Sequence, residues 1–459
     1  MNLPRGSHIH FIGIGGSSMS GLALLALHAG YRVSGSDRAS SAVTSMLETK
    51  GATVQIGQKR ENITSDIDLV VYTVAIGADN PELLAAQDLG IPVIERGRYL
   101  GVLCQDYAYP VAVSGTHGKT TTTAMIGGIM LAAGKDPAIH LGGSFPLIGG
   151  SVRAASGDYF ITEACEYHAH MLELAPFATV LLNVEAEHLD YYKDLDEIKA
   201  AFIKFVQLCP PEGFCVVCKE DEDAYDVALR ADCRRITYAL RASGLGADYE
   251  ADCLNELPDG IAFRWYAPGE AEGHTVKLHV PGRHNVLNAL AAISVCHTLG
   301  CSADAIGEGL ALFTGTGRRF EKVGVVRGAT LIDDYAHHPT EIHATLSAAR
   351  ASVEESGRVL AIFQAHTYSR ALAFKEEFAS ALALADRIFV ADIYAAREPD
   401  PGTISGKSMA EDFNLAGLPA TYEGDFEAIA EAVSAELRNG DLVISLGAGD
   451  VNKILKLIH

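Results

Sequence analysis

The run VAVSGTHGKTTTTAM at 111–125 holds the residue types best suited to chemistry in this sequence. An apolar stretch leads into Gly115 and Gly118, and Lys119 and Thr120 follow. Glycines here let backbone amides turn toward an anion, and a following helix adds about half a positive charge at its N-terminus. Lys119 would reach terminal phosphates, and the Thr120 hydroxyl suits Mg²⁺. The usual phosphate loop has Gly five positions before the Gly-Lys-Ser/Thr glycine; here that position is Val113. The spacing therefore predicts a nucleoside-triphosphate site on a shortened loop.

Other candidate groups stand at the ends of apolar stretches. ITEACEYH carries Glu163 and Glu166, and LLNVEAEHLDYY carries Glu185, Glu187, His188 and Asp190. Mg²⁺ is a hard ion that takes carboxylates, hydroxyls and phosphate oxygens, so these residues suit a metal beside a triphosphate. Near the N-terminus, HIHFIGIGGSSMSG puts Gly13 and Gly15 at the first two positions of a dinucleotide fingerprint, with Ser18 at the third. Asp37 follows the next strand, where a ribose partner belongs. That loop fits a nicotinamide cofactor or any nucleotide diphosphate, because it reads pyrophosphate rather than base. Further on, GTGRRFE, DDYAHHPTE and FQAHTYSR supply Arg318, Arg319, Asp334, Tyr335, His337, His338, His366 and Arg370. Three histidines suggest zinc, but helical His-x-x-x-His spacing is absent and Pro339 follows directly. The Arg370 fork suits a carboxylate.

These groups need a scaffold that sets them at strand ends. Strand-like runs alternate with helix-like runs three times, which predicts an α/β protein of three domains. Residues 1–105 read as a Rossmann-like domain. Residues 106–313 read as a P-loop ATPase domain with a parallel sheet and a small antiparallel excursion near 245–280. Residues 314–459 read as a second Rossmann-like α/β domain. Ligands in such sheets bind at the carboxyl ends of strands, where the candidate residues fall.

Composition narrows the classes. The 459 residues are 48% hydrophobic and 20% charged, as expected of a globular protein. No run of 18 apolar residues predicts a membrane span, and the N-terminus does not read as a signal peptide. A net charge of −22 argues against nucleic-acid binding and requires that anionic ligands be held by locally placed positive groups. The nine cysteines read as reduced thiols, and Cys215-x-x-Cys218 has no second pair at zinc spacing.

Taken in order, GIGGSSMSGLA, SGTHGKTTTTAM, EAEHLDYY, GRHNVLNALAA, GTGRRFE, DDYAHHPTEI, FQAHTYSR, DIYAARE and LGAGD make the whole chain resemble the Mur ligases of peptidoglycan synthesis. The shortened loop is typical of that family. Within it, the chain resembles the branch that adds L-alanine. The recycling branch that adds a preformed tripeptide shares HHPT but lacks HTYSR. Where several sister ligases carry a modified lysine, this chain has Phe202.

The resemblance implies a cytoplasmic enzyme with small-molecule substrates. It would use ATP and Mg²⁺ to join L-alanine to the lactyl carboxylate of UDP-N-acetylmuramate through an acyl phosphate. An oligomer is compatible with the sequence and not specified by it. The family would assign Gly15, Gly16, Ser17 and Asp37 to the UDP-sugar. ATP would be held by Gly115, Thr116, His117, Gly118, Lys119, Thr120, Thr121, Asn285, Asn288, Arg319 and Asp334. Thr120, Glu163 and His188 would bind metal, and Tyr335, His337 and Arg370 would surround the amino acid. Lys119, His188 and Arg319 would be catalytic. Ser18 departs from a glycine common in the family's N-terminal loop.

Overall fold

The structure is a computed structural model that describes residues 3–189, 191–257, 259–354, 356–396 and 398–459. Its strands form three separate sheets. The first holds β1 (His8–Ile12), β2 (Arg32–Asp37), β3 (Thr53–Ile56), β4 (Leu69–Tyr72) and β5 (Val93–Glu95). Its order is β3-β2-β1-β4-β5, and every pairing is parallel. The Gly13–Gly16 turn follows β1, where the strand order reverses, the position at which such sheets bind ligands.

The second sheet starts with β6 (Tyr109–Ser114), β7 (Ala138–Phe145), β8 (Gly150–Arg153), β9 (Tyr159–Glu163) and β10 (Ala178–Leu181). It continues with β11 (Phe214–Cys218), β12 (Arg234–Leu240), β13 (Tyr249–Leu257), β14 (Gly260–Tyr266) and β15 (His274–Leu278). The order is β15-β14-β13-β12-β11-β10-β6-β9-β7-β8. β14 pairs antiparallel with both β13 and β15, forming the expected excursion, and β8 is an antiparallel edge on β7. The third sheet contains β16 (Glu321–Val326), β17 (Ala329–Asp334), β18 (Val359–Phe363), β19 (Arg387–Val390), β20 (Ala420–Tyr422) and β21 (Leu442–Leu446). It runs β16-β17-β21-β18-β19-β20, parallel except for β16.

The apolar runs form strands because they are buried on both faces, as parallel sheets covered by helices require. The helix Lys119–Ala132 lies in the central core, packed on the helices Arg283–Thr298 and Ala303–Ala311. Its Thr121, Thr122 and Thr123 are buried, so the threonine run serves packing as well as opening the helix.

One apolar cluster runs from Ile9 in the first sheet to Cys233 beside the second. Close backbone approach joins these parts. A Cβ on Gly101 would fall 1.8 Å from the Glu173 carbonyl oxygen, and one on Gly21 would fall 2.4 Å from a Val152 methyl. Among the described residues no helix is long and apolar enough to cross a membrane.

Candidate active site

The central loop is held by the end of β10. Gly115 and Gly118 have φ of +138° and +84°, a left-handed backbone that glycine adopts without strain. A Cβ on Gly118 would lie 2.5 Å from Asn288 Oδ1. Asn183 pins the turn: its Oδ1 accepts the His117 amide at 2.7 Å, and its Nδ2 donates to the His117 carbonyl at 3.1 Å. The Glu185 amide donates to Thr116 Oγ1 at 2.8 Å.

Lys119 folds onto its own loop. Its Nζ donates to the carbonyls of Gly115 (2.5 Å) and Thr116 (3.0 Å) and to Glu166 Oε1 (3.0 Å). His188 Nε2 lies 3.3 Å from the same Glu166 oxygen. Burial pushes the Glu166 carboxyl up, but Lys119 and then His188 outweigh it and hold it below the usual carboxylate range. Glu163, at the end of β9, behaves differently. It accepts the Gly142 amide at 2.6 Å, yet burial dominates and leaves its carboxyl raised. The Thr120 hydroxyl bonds to it. Gly142 and Gly143 on β7 press against Glu163 and Thr120, where a Cβ would come within 3.1 and 3.2 Å.

A cavity of about 280 Å³ opens between the second and third sheets. His117, Gly118, Thr120, Thr121, Asn285, Asn288, Arg319 and Asp334 all line it. Asn285 donates to the Pro281 carbonyl at 2.7 Å, and Asn288 donates to Asn285 at 3.3 Å. Of the arginine pair, Arg318 is committed elsewhere, to Asp333 and the carbonyls of Gly447 and Gly449. Arg319 faces the cavity and meets Glu341 at 3.2 Å. Asp334 accepts the amides of Phe320 and Ala336, both at 2.7 Å, and burial lifts its carboxyl to about 6.

Tyr335, His337, His366 and Arg370 gather at the same seam. Ring centroids lie 5.3 Å apart for Tyr335–His337 and 5.8 Å apart for His337–His366. Arg370 is buried. Its Nε donates to Glu187 Oε1 at 3.1 Å, its Nη2 donates to the same oxygen, and its Nη1 donates to the His366 carbonyl at 3.0 Å. Against burial, Arg370 holds Glu187 well below the usual carboxylate range. Burial first, then His337 and Arg370, lowers His366 to about 3, so its ring is neutral.

The N-terminal loop gathers a second set of candidate residues. Gly13 has φ +80°, and Gly16 caps the helix Ser17–His28. The Gly15 amide donates to Asp37 Oδ2 at 2.9 Å, so this carboxylate binds the loop itself. Arg96 Nη1 donates to Ser18 Oγ at 2.8 Å, and its Nη2 is 3.3 Å from His170. Ser18 also approaches His140 on β7 at 3.5 Å, which ties this loop to the strand that touches Glu163.

Three sequence patterns match the chain. "Mur ligase family, catalytic domain" matches residues 8–108, "Mur ligase middle domain" matches 113–296, and "Mur ligase, glutamate ligase domain" matches 318–449. A UDP-N-acetylmuramate–L-alanine ligase of Acetivibrio thermocellus is 46% identical over 97% of this chain and 94% of its own. The chain belongs to the Mur ligase family.

Among solved structures, the UDP-N-acetylmuramate–alanine ligase MurC of Thermotoga maritima matches this Mur ligase with a TM-score of 0.81 and 29% identity. That match covers 98% of this chain and 97% of the other. A murein peptide ligase of Psychrobacter arcticus matches with a TM-score of 0.72 and 25% identity, covering 98% of each chain.

Sequence reasoning overlooked four residues of this site. Asn183 and Glu341 stand inside the runs LLNVEAEHLDYY and DDYAHHPTE without being singled out there, and Arg96, directly after β5, and His170 carry no motif. Glu187 was legible as acidic, but its partner is Arg370 rather than the phosphate loop. Asp190 lies outside the described residues. Cys215 and Cys218 are buried in two different apolar clusters on either side of β11, so they do not converge.

Proposed function

We infer that this chain joins L-alanine to the lactyl carboxylate of UDP-N-acetylmuramate, consuming ATP and releasing ADP and phosphate, in peptidoglycan precursor synthesis. One observation carries the reading. Consecutive residues reach the two ends of the reaction: His188 touches Glu166 beside Lys119, and Glu187 touches Arg370. A phosphorylated carboxylate at the first would therefore lie next to an amino acid at the second.

A carboxylate is a poor electrophile and must be activated before an amine can attack it. The lactyl carboxylate attacks the γ-phosphorus of ATP, giving an acyl phosphate and ADP. The alanine amine then attacks the carbonyl carbon, and phosphate leaves. Lys119 and Arg319 answer the repulsion between the carboxylate and the triphosphate, and positioning supplies much of the remaining rate. Lys119 is poised to exchange its loop carbonyls for phosphate oxygens. Arg370 would release Glu187 and clamp the alanine carboxylate, with Tyr335 and His337 around it.

Thr120, Glu163 and His188 suit Mg²⁺, because a buried, raised carboxyl beside a hydroxyl gains from a hard cation. Bound there, the ion would neutralise charge on the phosphate oxygens. We assign the adenine side to Asn285 and Asn288, the ATP ribose to Asp334, and the UDP-sugar to Gly15, Gly16, Ser17 and Asp37. We divide the domains at 1–105, 106–313 and 314–459, and place the reaction in the cytoplasm, where its nucleotide substrates are made.

The tripeptide-adding reading is disfavoured, since among the solved structures the alanine ligase matches with a TM-score of 0.81 against 0.72 for the murein peptide ligase. The test is ADP release with UDP-N-acetylmuramate and either L-alanine or the tripeptide. Turnover with L-alanine alone supports the reading; turnover with tripeptide alone overturns it.

A further inference from the structure

His117, Glu185 and His338 present ligand atoms that all lie within 4.8 Å of one another. His117 sits in the phosphate loop, Glu185 follows β10, and His338 caps the helix Pro339–Ser352 of the third-sheet region. The three therefore come from both sides of the seam. Of the three, only His117 has a place in the reading above, as part of the phosphate loop.

The spacing is informative. Glu185 Oε2 is 3.6 Å from His117 Nε2 and 3.7 Å from His338 Nδ1. Those gaps are too long for good hydrogen bonds. They are close to the roughly 3.4 Å edge of a tetrahedron whose metal–ligand bonds are about 2.0–2.1 Å. His117 Nε2 is buried without a hydrogen-bond partner. His338 is 4% exposed and its Nε2 also lacks a partner; its Nδ1, the nitrogen nearer Glu185, accepts the Thr340 amide at 3.4 Å, a long bond that ligation of a metal would replace.

Two further residues hold the His117 and Glu185 side chains. His117 Nδ1 lies 3.2 Å from Glu341, which leaves Nε2 to face Glu185. Thr340 Oγ1 donates to Glu185 Oε2 at 2.7 Å and orients the carboxylate. A histidine whose second nitrogen rests on a carboxylate is the usual arrangement around zinc. His117, Glu185 and Thr340 line the inter-sheet cavity, so the fourth position opens toward it.

We propose that His117, Glu185 and His338 bind a borderline divalent cation of the Zn²⁺ class, tying the central and C-terminal domains together across their seam. Two imidazoles and one carboxylate favour such an ion over Mg²⁺, which prefers oxygen. The site shares no ligand with the Thr120, Glu163 and His188 set.

The experiment is titration of the full-length chain with ZnCl₂, free of nucleotide and Mg²⁺, by calorimetry. The exposed thiol is removed throughout by Cys253→Ser. One ion per chain is expected, with affinity at least tenfold weaker in His338→Ala and Glu185→Gln and unchanged in His188→Ala. Co²⁺ should give the visible absorption of a tetrahedral site, lost in His338→Ala. If His338→Ala does not fold, His338→Cys should retain the ion and add a thiolate charge-transfer band. Unchanged zinc affinity in both His338→Ala and Glu185→Gln would overturn the proposal. So would loss of binding in His188→Ala, or a His338→Cys protein without a thiolate band.

Discussion

The two glycine loops share one design and differ in what fills them. Each follows the first strand in chain order of its sheet and opens a helix, so each turns backbone amides in the way that suits an anion. The N-terminal loop is braced by an acid, Asp37, which accepts the Gly15 amide. Its nearby cation, Arg96, donates to Ser18. The central loop is filled by its own cation, with Lys119 bonded to loop carbonyls and to Glu166. A loop braced by an acid can hold a diphosphate through amides and a hydroxyl, which is binding. A loop that holds an ammonium beside a carboxylate can answer charge that moves between phosphate and carboxylate, which is chemistry.

Four variants break or sharpen that contrast. Lys119→Ala should lower the kcat of ADP formation by about a hundredfold or more, the scale of losing one transition-state charge partner. Near-normal turnover would remove the central loop from the chemistry. Arg370→Ala strands Glu187 as a buried, unpaired carboxylate, a loss of about 3–5 kcal/mol when one partner of a buried pair is removed. Thermal unfolding should show that loss, and the KM for alanine should rise far more than that for ATP. Equal rises in the two KM values would take Arg370 off the amino acid.

Arg96→Ala should raise the KM for the UDP-sugar about tenfold with the KM for ATP unchanged, since a hydrogen bond from a charged group contributes about 1.5–3 kcal/mol. A fall in kcat without a change in KM would make the N-terminal loop part of the chemistry. Smallest is Asp37→Asn, which keeps the shape of the brace and loses its charge. A few-fold rise in the KM for the UDP-sugar is expected, on the scale of about 1 kcal/mol. An effect as large as that of Lys119→Ala would erase the difference between the loops.

Much of the fold was legible because its signals are local. VAVSGTHGKT announces strand, turn and helix within ten residues, and HIHFIGIGG does the same. The antiparallel excursion was visible as three short strand-like runs that became β13 to β15. Burial of Thr122 and Thr123 was not legible, because it depends on helices more than 150 positions later in the chain.

The candidate residues were legible as types, but their partners were not. Glu187 and Arg370 stand 183 positions apart, and nothing near either names the other. Asn183 reads as an ordinary loop residue, although it pins the His117 amide and carbonyl.

The sequence alone determined the alternation of strands and helices, the two glycine turns, and the stock of lysine, arginine, histidine and carboxylate at strand ends. Apolar periodicity and glycine conformation act over a few residues, so they survive in one dimension. Only the tertiary structure decided which charges meet. It set Arg318 into its own sheet while Arg319 faces the cavity, and it brought Glu185 and Glu187 across the seam to His338 and Arg370. Buried charges need partners supplied by the packing of whole sheets, and that packing follows from the sum of many distant apolar contacts rather than from any local pattern.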